Sequence, residues 1–414
     1  MVGVLLLSEI TVRKSGKKPF DDMLYTGLKI ILDELDSGYE VCSGENIKNY
    51  THILVSLTST MDVENLIYTL TSYDTGKAVI VVGGAGCINI RSYKDLIDIA
   101  VFGRAEGQIN SIIDGIEFDN VWRKSTDRQI EGTYKVRQAQ SLSGSEVSVG
   151  CPRKCAFCQY TWVRKSIGGQ YHHGDDMKTE EDDFEKIKII KSGRYTTAFD
   201  GLSEETRIKV NKYWCKKNDI KTKFNEIYRN QNITKAVVIK LFQIIGYPWE
   251  TKKSFFNDLE ENTNLWEEIG KGNTGKRIVI MYLFTPFSPE PLTPMQYESA
   301  NIYDNWRHYL GDNKCYKIFD KYNINVFTIP QINSGFTLAK RVLINRAENN
   351  NAEIIRKIIL NKQLKKMKAD VAVKSMLNHV SPSIFNKIET GGFDYLKTYI
   401  NIPEWNSKTT EVTT

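Results

Sequence analysis

Residues 146–165 read EVSVGCPRKCAFCQYTWVRK and contain three of the seven cysteines of this 414-residue chain. A short stretch, residues 146–149, has the pattern of a strand and leads into a loop on which Cys151, Cys155 and Cys158 form a CxxxCxxC motif. Secreted disulfide-rich proteins spread their cysteines more evenly along the chain, so this grouping favours a metal site in a reducing compartment. We therefore expect a cytoplasmic protein whose chemistry is carried by this loop.

Thiolates are the usual ligands of iron–sulfur clusters. Three of them on one loop can hold three irons of a [4Fe–4S] cluster and leave the fourth iron open to an exogenous chelator such as S-adenosylmethionine (SAM). Three alternatives compete. A zinc site normally takes four ligands and would need Cys215 or Cys315. A CxxC redox motif would leave Cys151 unexplained, and the close spacing argues against three unrelated core cysteines.

The bulk composition is that of a globular protein, with 41% hydrophobic and 26% charged residues. The length predicts two or three domains. No apolar run approaches the ~18 residues of a membrane-spanning helix, and the N-terminus has the pattern of a first strand rather than a signal peptide. The net charge of +6 lies in residues 331–414, where 13 Lys and Arg oppose 7 Asp and Glu (13 − 7 = +6).

The pattern of the chain predicts the α/β class, with strands and helices alternating in two regions. Residues 1–125 are expected to form a Rossmann-like parallel sheet, and residues 126–145 a linker with a hairpin. Residues 146–335 repeat the α/β pattern, and residues 336–414 are expected to be helical and basic. The predicted strands are residues 2–7, 52–57, 77–82, 99–103, 146–149, 195–199, 236–245 and 277–284; the predicted helices include 20–35, 107–116, 204–218 and 251–270.

The cysteine spacing, with Phe157 just before the last cysteine, resembles the radical SAM superfamily. The similarity continues through residues 198–212 (AFDGLSEETRIKVNK), 240–251 (KLFQIIGYPWET, with a Gly-x-Pro-x-Glu-Thr turn) and 283–296 (LFTPFSPEPLTPMQ). In the last segment Leu292 replaces a glycine that the superfamily often has. A Gly-Gly-Glu type motif is not evident, and Gly168-Gly169-Gln170 stands in that region.

The resemblance implies a partial (β/α)6 barrel with a [4Fe–4S] cluster at the mouth of its strands. It assigns Cys151, Cys155 and Cys158 as iron ligands and SAM as the second cofactor. It implies that Phe157 packs beside adenine. Asp200, Ser203 and Gly246 are expected near SAM, and a reductase such as a flavodoxin or ferredoxin is expected to supply the electron.

The N-terminal region resembles the cobalamin-binding domain that precedes the barrel in many radical SAM enzymes. The resemblance rests on the loop containing Ser56 and Thr58, the turn containing Gly83 and Gly84, and the FGRAEG turn at residues 102–107. The loop at residues 8–18 (SEITVRKSGKK) lacks the histidine that would ligate cobalt. Cobalamin is therefore a possible cofactor, and a domain of this fold without cobalamin is the alternative.

Residues 355–374 (IRKIILNKQLKKMKADVAVK) place apolar residues at helical spacing among six basic residues at positions 356–368. A solvated helix face and a phosphate-contacting surface both fit this pattern. We favour a nucleotide or nucleic-acid substrate, with a peptide or small metabolite as alternatives. Methylation and rearrangement both stay open as the reaction. A zinc- or cluster-bearing nucleic-acid-binding protein without SAM chemistry is the alternative from another class.

Overall fold

The computed structural model describes residues 1–7, 26–128, 140–141, 144–145, 148–149, 151, 153–160, 162, 171–172, 189, 191–233, 236–271, 276–302, 313–322, 325–330, 335–348, 351–381 and 384. The loop at residues 8–18 and the Gly168-Gly169-Gln170 segment lie outside this set. No described helix is long and apolar enough to cross a membrane.

The N-terminal region forms a six-stranded sheet in the order β2-β1-β3-β4-β5-β6. Strands β1 to β5 are parallel, and β6 is antiparallel at the edge. The order 2-1-3-4-5 is a doubly wound order whose direction of winding switches between β1 and β3. The elements are β1 (Val2–Leu5), α1 (Thr26–Asp33), β2 (Tyr39–Cys42), β3 (His52–Ser56), α2 (Asp62–Ser72), β4 (Val79–Gly83), β5 (Ile99–Val101), α3 (Ile109–Ile113) and β6 (Val121–Arg123).

Both faces of this sheet are covered, which explains why β1 and the centres of β3 and β4 are uninterrupted apolar runs. One face packs against α1 and α3. The other face packs against α2 and against helices from the far C-terminal end of the chain. The N-terminal sheet and the C-terminal helices therefore share one hydrophobic core.

A second sheet is fully parallel, with its strands in sequential order, β11-β12-β13-β14. The α/β class is confirmed, with a six-stranded mostly parallel sheet, a second parallel sheet and helices around them. The elements are β11 (Arg194–Ala198), α4 (Glu204–Lys209), α5 (Lys217–Arg229), β12 (Ala236–Ile245), α6 (Lys252–Gly270), β13 (Arg277–Pro286), α7 (Asn313–Asp320) and β14 (Asn325–Pro330).

Two short antiparallel pairs of strands lie between the two sheets along the sequence. The hairpin expected within residues 126–145 is present as β7 (Gln140–Ser141) and β8 (Gly144–Ser145). The predicted strand at residues 146–149 is present only as β9 (Ser148–Val149), and it pairs antiparallel with β10 (Tyr171–His172). The pairing described for β9 is therefore with β10 and not with a strand of the second parallel sheet.

The C-terminal helices are α8 (Gly335–Asn345), α9 (Ala352–Leu360) and α10 (Ala369–Leu377). The prediction of one apolar stripe over residues 355–374 is wrong in its second half. Ile355, Ile358, Ile359 and Leu364 are buried, but Met367 and Val371 are 41% and 47% exposed. The reason is that α9 ends at Leu360 and a 3-10 turn at Leu364–Lys366 separates it from α10, so the helical register does not continue.

Candidate functional site

The cysteine loop is held across the carboxyl end of the second sheet by main-chain hydrogen bonds. The Ala156 N–H donates to the Val210 carbonyl at 2.8 Å, and the Ala156 carbonyl accepts from the Met295 N–H at 3.3 Å. Val210 closes the helix that follows β11, and Met295 lies in the segment after β13. The Asn211 side chain adds a hydrogen bond to the Lys154 carbonyl at 2.7 Å. Residues 153–158 therefore lie where ligands of parallel sheets bind.

Within the loop, the second and third cysteines form a tight turn. The Cys158 N–H donates to the Cys155 carbonyl at 3.1 Å, and the Trp162 indole N–H donates to the same carbonyl at 2.8 Å. Cys155 is buried, whereas Cys151 and Cys158 are partly exposed. The described part of the chain contains no group of three His, Cys, Asp or Glu side chains placed to hold a metal ion. The structure thus brings the three cysteines onto one docked loop, where their side chains do not form such a group.

The donor set itself fits a cluster better than zinc. Cys215 and Cys315 are both 1% exposed and pack in the hydrophobic core shared by β12, α5 and α6. Neither therefore provides a fourth ligand in this arrangement, and the loop offers thiols alone. Three thiols on one loop match a cluster that keeps one iron open, although the sulfurs would have to turn towards each other to ligate it.

An apolar cluster packs against the cysteine loop. Phe157, which was predicted to pack beside adenine, packs against Tyr247 with ring centres 6.5 Å apart. Tyr247 is fully buried and stacks on Trp249 at 5.1 Å and against Phe287 at 5.3 Å. Met295 belongs to the same cluster. Phe157 therefore anchors the cysteine loop to the turns that follow β12 and β13.

The polar residues predicted near SAM have partners within the chain. Asp200 adopts a left-handed backbone with φ of 57°, and its carboxylate forms a 2.7 Å ion pair with the fully buried Lys212 side chain. Ser203 caps α4 by accepting a hydrogen bond from the Thr206 N–H at 3.3 Å. The Tyr247 hydroxyl donates to the Asp200 carbonyl at 2.6 Å, which joins the two turns. These residues shape the mouth of the sheet in this structure.

Gly246 is required by the turn after β12, since its φ of 77° is disfavoured for residues with a side chain. Its N–H donates to the Glu250 carboxylate. Burial raises the pKa of Glu250 to about 7, against the lowering effect of this hydrogen bond. Glu250 is therefore a carboxyl group with a raised pKa beside the candidate site.

The N-terminal residues proposed for cobalamin lie on loops that pack against each other. The Leu57 N–H donates to the Gly83 carbonyl, and the Gly86 N–H to the Leu57 carbonyl, both at 2.8 Å. A Cβ on Gly84 would lie 2.5 Å from the Leu57 carbonyl oxygen. The glycines of this turn therefore have a packing role that needs no ligand.

The hydroxyl residues of the neighbouring loop are also engaged. Thr58 donates from its N–H and its hydroxyl to the Asp62 carboxylate, each at 2.7 Å, which fixes the start of α2. Ser56 ends β3 and pairs with Gly83 in the sheet. The contacts described at Ser56, Thr58, Gly83 and Gly84 are internal, and cobalamin binding stays a prediction.

The sequence interpretation missed one candidate region, the face of the second sheet opposite α5 and α6. Val237, Ile239 and Leu241 of β12 belong to the core beneath those helices, so Lys240 and Phe242 lie on the other face. Both side chains are partly exposed, and the Lys240 ammonium lies 5.4 Å from the centre of the Phe242 ring. A lysine within AVVIKLFQII is the signal that could have revealed this face, since buried parallel strands are apolar on both sides.

Lys240 is flanked in register by Thr196 of β11 and Met281 of β13. Phe242 lies two residues nearer the carboxyl end of β12, the end at which the cysteine loop docks. No carboxylate within the described ranges forms an ion pair with Lys240. This face of the second sheet therefore presents a cation beside an aromatic ring.

Comparison with known protein families and with curated proteins finds no match to this chain.

Proposed function

We propose that this chain is a radical SAM enzyme whose Cys151, Cys155 and Cys158 hold a [4Fe–4S] cluster, and that the second sheet belongs to a partial (β/α)6 barrel. The observation that carries the proposal is the docking of the three-cysteine loop over the carboxyl ends of consecutive parallel strands, through Ala156 to Val210 and Met295. A zinc protein gains less support, because the two remaining candidate ligands are core residues.

When bound, such a cluster supplies the electron for reductive cleavage of SAM, which yields the radical that removes hydrogen from a substrate carbon. The chain's own residues would position the reactants. Phe157 and Tyr247 fix the loop over the strand ends, and Trp249 contributes a partly exposed ring stacked on Tyr247. The Asp200–Lys212 pair holds the neighbouring turn rigid. A rigid, partly apolar mouth favours radical chemistry because it orients the substrate and excludes water.

The substrate class that we propose rests on the face of the second sheet that carries Lys240 and Phe242. Lys240 would bind an anionic group, and Phe242 beside it would pack on a planar or apolar part. A nucleotide or another phosphorylated molecule fits this pair of contacts.

Anaerobic reconstitution with iron and sulfide tests the proposal. Wild-type protein should gain iron–sulfur absorption at about 400 nm and, with dithionite, cleave SAM to 5′-deoxyadenosine and methionine. Cys155→Ala should lose both properties. Cys42→Ala, which removes a buried cysteine of β2, serves as the matched control and should keep them.

Circular dichroism of both variants checks that they are folded. Stoichiometric zinc in protein purified under the same conditions, with no SAM cleavage after reconstitution, would overturn the proposal.

A further inference from the structure

The C-terminal helices carry basic residues of two kinds. Those that face the N-terminal region are paired with acids there: Arg356 with Asp95 at 3.0 Å, and Lys340 and Lys365 with Glu64. Burial acts to raise the pKa of Glu64, but Lys340 and Lys365 together hold that pKa below its ordinary value. These charges are consumed in fixing the helices to the sheet.

The second kind points to solvent. Lys362, Lys366, Lys368 and Lys374 are all exposed, and no carboxylate in the part of the chain that is described forms an ion pair with them. Residues 351–381 contain two acids, Glu353 and Asp370, and Glu353 is already paired with Lys357. Among the described residues of this segment, the four lysines therefore outnumber the one remaining acid, Asp370, and give the surface an excess of positive charge.

Exposed apolar groups lie on the same segment, and an exposed aromatic ring lies next to it. Met367 and Val371 are exposed on the same segment. Tyr68, from α2, is 42% exposed, and the Lys365 ammonium lies 5.9 Å from the centre of its ring. The sequence could not show this aromatic group beside Lys365, because Tyr68 comes from a distant element. A merely solvated helix face does not need an exposed aromatic ring at its edge.

We propose that these residues, which we call the basic surface (Tyr68, Lys362, Lys366, Met367, Lys368, Val371 and Lys374), bind single-stranded nucleic acid. Cations arranged beside an exposed ring contact phosphates while bases stack on the ring. A membrane surface is less well matched, because amphipathic membrane helices embed a continuous apolar face, and the apolar face of α9 is already buried in the core. The basic surface shares no residue with the cysteine loop. The proposal that it binds nucleic acid therefore does not depend on SAM chemistry.

Fluorescence anisotropy with the full chain tests the proposal, using labelled mixed-sequence RNA and DNA oligonucleotides of about 20 nucleotides, longer than typical single-strand sites. Changing Lys362, Lys366, Lys368 and Lys374 together to Gln should weaken binding by tenfold or more. It should also make the slope of log K against log salt shallower by about 3, since each phosphate contact on a single strand contributes about 0.7. Tyr68→Ala should weaken binding about tenfold through lost stacking.

The matched control changes to Gln four lysines around the second sheet that are partly or fully exposed and are each paired with a glutamate: Lys217, Lys221, Lys271 and Lys321. Both quadruple variants lower the net charge from +6 to +2 (6 − 4 = 2). Equal weakening by the two sets would overturn the proposal, since the effect would then come from overall charge.

Two further results would overturn it: no binding of either oligonucleotide by the wild-type chain, or binding to phosphatidylserine vesicles without oligonucleotide binding. A preference for RNA over DNA, or the reverse, would identify the partner within the proposed class. Because none of these measurements requires iron or SAM, their failure is distinguishable from failure of the proposed enzymatic function.

Discussion

Replacing Gly84 by alanine should destabilise the N-terminal sheet by about 2–5 kcal/mol. Two terms contribute. The φ of 96° at this residue costs a residue with a side chain about 1–2 kcal/mol. The new Cβ would lie 2.5 Å from the Leu57 carbonyl oxygen, and relieving such a contact with backbone costs about 1–3 kcal/mol.

Gly107 provides the matched control for this substitution. Its φ of 74° is also positive, but a Cβ there would meet no atom within 4 Å. Gly107→Ala should therefore cost only the backbone term, about 1–2 kcal/mol. The difference between the two variants isolates the contact between the loops after β3 and β4.

Native-state hydrogen exchange of amides in β3 and β4 provides the opening free energies locally, which avoids assuming that the whole chain unfolds in one step. Equal losses in the two variants would refute the loop-packing explanation. A different result is retention of hydroxocobalamin by the wild-type protein and not by Gly84→Ala, with the opening free energy unchanged. In that case the glycine would serve cofactor binding instead.

Three further predictions concern the second sheet. The pKa of Glu250 is raised from 4.5 to about 7, so its contribution to stability is present below pH 4.5 and is lost as the pH rises through 7. The loss in the free energy of unfolding is about 3 kcal/mol. Glu250→Gln should flatten this pH dependence in urea unfolding, and an unchanged pH profile would contradict the prediction. Thr251→Ala removes the capping box of α6 and should cost about 1 kcal/mol in the same assay, with no loss if the cap is dispensable. Lys212→Met leaves the Asp200 carboxylate without its buried cation and should lower the free energy of unfolding by about 3–5 kcal/mol. Adding Asp200→Asn to the same chain should restore part of this stability. Additive losses in the double variant would exclude coupling between the two residues.

The central strands were predictable because they are long apolar runs. The runs at residues 52–57, 77–82 and 236–245 correspond closely to β3, β4 and β12. The short edge strands β2 and β6 were missed, since four or three residues carry little pattern. Helix α2 was also missed, although Val63, Leu66, Ile67 and Leu70 have helical spacing. Strand β14 and helix α5 were not predicted either.

The candidate site was predictable as a set of residues but not as a set of contacts. The cysteine spacing and the turn at Gly246 identify the segments that meet at the end of the second sheet. The partners came from the fold: Lys212 for Asp200, and Met295 for Ala156. Such pairs depend on how distant elements pack, and a single sequence contains no periodic signal for them. The same reason hid the packing of the C-terminal helices on α2.

The open coordination site is the central claim, and electron paramagnetic resonance of the reduced, reconstituted protein tests it most directly. Binding of SAM through its amino and carboxylate groups to an iron without a protein ligand should change the spectrum of the reduced cluster. We expect a new set of g values when SAM is added to wild-type protein and no cluster signal from Cys155→Ala. A cluster spectrum that SAM leaves unchanged, or protein that retains no iron with all three cysteines intact, would contradict the claim.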